Sequence, residues 1–157
     1  MDALVALALS IGVLIAGWTY VALGPGALPV WAGIVAWGCF FAAGGKTEGL
    51  TKTIAANLSG VLWAFLALTA FNQFGGGTPV LSMLVGLAAI CMVLQAKIPF
   101  LGFIPGAFLG AATAVSVVVG ANGTWGRTVA ALVIGAVLGY LSEMVAGAIS
   151  RPAKAAA

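Results

Sequence analysis

The chain has 157 residues, 63% hydrophobic and 6% charged, with a formal net charge of +3 and a mean hydropathy of +1.22. A soluble domain carries roughly 25% charged residues, and disorder needs low hydrophobicity with high net charge, so both classes are excluded. With no His and only Asp2, Glu48 and Glu143 as acids, most enzyme chemistry lacks its groups, and the composition reads as an all-α integral membrane protein.

A helix needs about 20 apolar residues to cross a hydrocarbon core of about 30 Å, so the gaps between charges count the spans. Residues 3–45 and 53–96 carry no charge, and each gap holds two helices and a turn. Residues 98–126 hold one more helix, and the stretch after Arg127 holds another, interrupted only by Glu143. Gly24-Pro25-Gly26 and Gly75-Gly76-Gly77-Thr78-Pro79 supply turn geometry that breaks the two long gaps. The predicted spans are therefore 3–22, 28–44, 50–71, 79–96, 100–120 and 127–149. The second is at the short limit for spanning, which leaves a tilted or partly re-entrant segment open. Within the fifth, Pro105-Gly106 predicts a kink or local break. Apolar runs such as Val80–Leu94 do not alternate, against the pattern of a membrane β-barrel. The first span follows Asp2 rather than a basic stretch, unlike a cleaved signal peptide.

Lys and Arg gather on the cytoplasmic side. Six spans put Lys46, Lys52, Lys97, Arg151 and Lys154 on one side and Arg127 alone on the other. Both termini are then cytoplasmic, and the positive charge reports topology rather than nucleic-acid binding. Trp18, Tyr20, Trp31 and Trp125 fall near the outer boundary, where amphipathic rings prefer to sit. Cys39 and Cys91 lie inside spans. Two Cys without His form no convincing metal site, and no catalytic residue or cofactor is expected.

The halves resemble each other. Lys52-Thr53-Ile54-Ala55-Ala56 matches Arg127-Thr128-Val129-Ala130-Ala131 at an offset of 75, with Gly60 on Gly135 and Ala64 on Gly139. Gly38-Cys39-Phe40 echoes Gly106-Ala107-Phe108 at an offset of 68. Three spans are an odd number, so two such copies (about 3–71 and 79–149, with 150–157 a short cytoplasmic tail) enter the membrane from opposite sides. That is an inverted repeat within one polytopic domain, an arrangement many transporters use to place a solute path at the repeat interface.

Few polar groups fall within the spans. Glu143 continues the small-residue stripe Ala131, Gly135, Gly139. It is either an intramembrane functional acid or a residue near a helix end, reaching the interface to pair with Lys97 or Arg151. Asn57 and Gln95 lie in the same inner half and would form a polar cluster with it, or each simply hydrogen-bonds between helices. Thr113 and Ser116 on the fifth span add polar contacts. Phe40, Phe108, Trp37 and Trp63 lie close enough in depth to form an aromatic constriction, against the alternative of ordinary packing.

Ser59-Gly60-Val61-Leu62-Trp63-Ala64, Gln95-Ala96-Lys97, Phe103-Ile104-Pro105-Gly106-Ala107-Phe108-Leu109-Gly110 and Gly139-Tyr140 resemble the YcdZ-type small bacterial inner-membrane proteins, domain-of-unknown-function family 1097. The resemblance runs from about Gly17 to Tyr140. It implies a compact multi-span protein of the bacterial inner membrane and transfers no site residues; Glu143 is not part of the pattern. The expected function is a channel or facilitator for a small uncharged polar solute, urea- or amide-like, in a homo-oligomer. A proton-coupled transporter using Glu143 and a non-transporting structural subunit are the alternatives.

Overall fold

The computed structural model describes residues 1–150; the expected charges of the tail, Arg151 and Lys154, lie outside them. Six α-helices follow in order: α1 (Ala3–Leu23), α2 (Val30–Ala42), α3 (Lys46–Phe74), α4 (Gly77–Leu94), α5 (Ile104–Val115) and α6 (Trp125–Ile149). There is no strand among the described residues. Four helices are long and apolar enough to cross a membrane: α1, α3, α4 and α6. The other two are shorter than expected. α2 has 13 residues, about 20 Å at 1.5 Å per residue. α5 has 12 and continues as a π-turn over Ser116–Gly120. By length and composition α2 and α5 fall short of full spans, so a crossing by either is short or tilted.

The ends of the helices follow local chemistry. Asp2 caps α1 by accepting the Leu4 N–H at 2.9 Å, and Thr124 accepts the Arg127 N–H at the start of α6 at 3.3 Å, satisfying first-turn donors that have no intrahelical partner. Gly75, Gly76 and Gly77 all hold positive φ (65°, 96° and 68°), which permits the abrupt reversal between α3 and α4. Pro105 does not kink a long fifth helix. The chain between α4 and α5 runs through two 3-10 turns, Gln95–Lys97 and Pro99–Leu101, and Pro105 stands in the first turn of α5. There its missing N–H costs nothing and its fixed φ favours initiation.

At 29 residues, α3 is about 43 Å long and outruns the hydrocarbon thickness. Its first two turns carry Lys46, Glu48 and Lys52, and Lys52 pairs with Glu48 at 2.6 Å on an exposed face. Such a pair contributes little to stability.

Packing repeats between the halves. α3 packs most extensively on α5, and α2 on α6; α4 lies on α3 as α1 lies on α6. Six of the seven buried positions of α3 (Thr53, Ala56, Asn57, Gly60, Val61, Ala64) recur as buried positions of α6 at +75. Five of the six buried positions of α2 (Ala32, Gly33, Ala36, Cys39, Phe40) recur on α5 at +74. The offset of 68 fails this test, since Phe40 is 0% exposed and Phe108 is 42% exposed. Backbone contact sets the register, and it pairs Phe40 with Ala114.

Candidate functional site

The two seams are built on glycine. A Cβ on Gly60 would collide with the Ala107 carbonyl on α5, and a Cβ on Gly135 would collide with the Gly33 backbone on α2. The second contact is the first carried over by +75 and −74. Gly110 likewise lets α5 lie directly on the backbone of Asn57. Small residues allow this close approach, which dispersion then rewards in lipid.

One turn before Gly60 the seam holds polar groups without partners. Asn57 is 1% exposed, and neither its amide nitrogen nor its oxygen meets a hydrogen-bond partner among the described residues. The Thr53 hydroxyl, one turn earlier on the same face, is equally buried and unpaired. The Cys39 thiol of α2 neighbours the Asn57 amide without an ordinary hydrogen bond. At the related positions of α6 stand Leu132, in the apolar core, and Thr128, whose hydroxyl donates to the Thr124 carbonyl at 3.0 Å. The unsatisfied polarity therefore belongs to one side of the seam. Leaving such groups buried costs about 1–3 kcal/mol each.

The expected cluster of Asn57, Gln95 and Glu143 does not form. Gln95 joins α4 to α3 instead: its oxygen accepts the Trp63 Nε1–H at 2.9 Å, and its Nε2 donates to Ser59 Oγ at 2.8 Å. Glu143 accepts the backbone N–H of Lys46 at 2.6 Å, just after Gly44 and Gly45, which both hold positive φ. Its carboxylate thus ties α6 to the N-terminus of α3, where an anion is favoured. Its partner is a main-chain amide rather than Lys97, and Arg151 lies outside the described residues.

The aromatic candidates do not converge. Phe40 packs edge-on against Phe41 and Tyr140, with centroids 5.1 and 6.3 Å away. Trp37 is buried and donates to Ser142 Oγ at 3.1 Å, while Trp63 serves the Gln95 link and Phe108 is half-exposed. Trp18 faces the protein rather than lipid. It is buried over Gly33 and donates to the Val30 carbonyl at 3.0 Å. Thr113 is on the buried face of α5 at the position related to Cys39, whereas Ser116 is exposed beside an apolar groove. Gly106 receives the Ala56 methyl and the Phe103 ring.

Sequence reasoning missed Thr53, Ser59, Ser10 and Ser142. The Ser10 hydroxyl donates to the Ser142 carbonyl at 2.8 Å, joining α1 to α6. The match of Thr53 to Thr128 marked the first of these; nothing in composition marks Ser10 or Ser142.

A seam with an amide and a hydroxyl but no charge offers donors and acceptors that a neutral polar molecule can use. The family model described as "Protein of unknown function (DUF1097)" matches residues 8–147. The chain is 33% identical over 142 residues to "Inner membrane protein YcdZ" of Escherichia coli strain K12, covering 89% of this chain and 83% of that protein. It is 32% identical to "Inner membrane protein YcdZ" of Salmonella typhimurium strain LT2 over 89% of this chain and 85% of that protein. It is 30% identical to "Uncharacterized protein YahC" of E. coli K12, over 91% and 90% of the two chains. No solved structure matches.

Proposed function

The chain belongs to the DUF1097 family and lies in the inner membrane, and on that premise we propose that it is a channel or facilitator for a small uncharged polar solute. Two three-helix units, α1–α3 and α4–α6, form one membrane domain as an inverted repeat, with both termini cytoplasmic and the short α2 and α5 at its centre. The recurrence of buried positions at +75 and +74 supports this pairing. So does the matched contact of Gly60 with Ala107 and of Gly135 with Gly33.

One observation carries the transport reading: the unpaired amide of Asn57 and hydroxyl of Thr53 lie buried at the seam between the units. Transporter folds of this kind place the solute near the midplane at the repeat interface. Unmet donors and acceptors are what a urea- or amide-like molecule exchanges for its hydration as it passes. The seam is closed by glycine contacts of α3 with α5 and of α6 with α2, so these pairs part to admit a solute. Glu143 binds the Lys46 N–H at the start of α3 rather than joining Asn57 in the seam, which favours the uncoupled reading over the proton-coupled one.

Stopped-flow flux of urea and short amides into proteoliposomes of the full chain tests the proposal. Uptake should proceed without a proton gradient, persist in Glu143→Gln and fall at least tenfold in Asn57→Leu, roughly the 1.4 kcal/mol of one lost solute hydrogen bond. Absence of flux for every neutral solute would favour a structural subunit.

A further inference from the structure

The two units differ in one cleft. In the first, Trp37 fills the space between α2 and α6 and donates to Ser142, and Ser142 in turn receives Ser10 of α1. At +74 and −75 those two positions are Ala111 and Ala67. A ring and a hydroxyl become two methyl groups, and the cleft between α3, α4 and α5 stays open as a groove of about 620 Å³ bordered by both alanines. Its lining is apolar except for Ser116. On α4 itself the buried residues are Ala88 and Met92.

Length and charge identify the occupant. From Leu81 to Met92 on α4 the groove runs about 16 Å at 1.5 Å per residue, about half of a hydrocarbon core of about 30 Å. A partner helix that spans the membrane would need a face about twice as long. Beyond Met92 the chain reaches Lys97, which is exposed and in no ion pair among the described residues. The bonds of Gln95 to Trp63 and Ser59 hold this end of α4 in place. We propose that the groove and Lys97 form a site for one anionic phospholipid, an acyl chain lying between α3, α4 and α5 and the phosphate beside the Lys97 ammonium. A basic group near a membrane surface attracts anionic headgroups by about 1 kcal/mol, about fivefold.

Native mass spectrometry of the full chain in detergent, titrated with phosphatidylglycerol or with phosphatidylcholine of the same chains, tests this. One phosphatidylglycerol should be retained about fivefold more tightly than phosphatidylcholine. Lys97→Gln should bring the two lipids level, and Ala111→Trp, which places the Trp37 ring in the groove, should displace both. If Ala111→Trp does not fold, Ala67→Leu narrows the groove from α3 and carries the same expectation. Glycerol phosphate, which has no chain, should not bind. Equal retention of phosphatidylglycerol by the parent and all variants would overturn the site, as would disulfide-linked dimers through Val85→Cys showing a second copy over the groove.

Discussion

Asn57 and Gly60 sit one turn apart and depend on opposite physics. Replacing Asn57 by Leu, the residue at the related position of α6, removes a buried amide without partners. The variant should keep or gain stability, by up to about 1–3 kcal/mol, while solute flux falls; a lower melting temperature in detergent would mean that the amide is satisfied. Gly60→Ala forces a methyl into the Ala107 carbonyl and should cost about 3 kcal/mol or more, as overpacking does. Gly12→Ala meets nothing within 4 Å and should be neutral or stabilising by up to about 1 kcal/mol. Thermal unfolding of the pair separates a seam glycine from a lipid-facing one. The sequence told these residues apart only in part. The match of Ala56, Gly60 and Ala64 to the small-residue stripe of α6 marks a packing face, but which face Asn57 turns to, and that nothing meets it there, depends on α5 lying on its backbone.

At the scale of elements, charge gaps located all six helices to within a few residues, because charge is the costliest thing to place in lipid. They overestimated α2 and α5, since an apolar loop and an apolar helix have the same charge. Pro105 differs from its expected role for a related reason: a Pro inside an apolar run looks like a kink, whereas two 3-10 turns precede it and it starts α5. Phe40 and Phe108 were paired because aromatics stand out, whereas the seams are set by glycine and backbone. The link from α4 to α3 tests how firmly these elements are joined. Gln95→Leu leaves the Trp63 Nε1–H and Ser59 without their partner and should cost about 1–3 kcal/mol, seen as a lower unfolding temperature. Glu143→Gln keeps an acceptor for the Lys46 N–H but removes the charge at the start of α3, and should cost only about 0.3–1 kcal/mol with flux unchanged.

For the whole molecule, the proposed function requires two units that face opposite ways around a shared seam. The packing partners already pair off: α3 with α5 as α6 with α2, and α4 with α3 as α1 with α6. The most direct measurement places the repeat-related cations relative to the membrane. In a chain carrying Cys39→Ala and Cys91→Ala, Lys52→Cys and Arg127→Cys are labelled with a membrane-impermeant maleimide in spheroplasts. Arg127→Cys should label in intact spheroplasts and Lys52→Cys only after lysis. Labelling of both from the same side would contradict an inverted arrangement and, with it, a solute path along the seam.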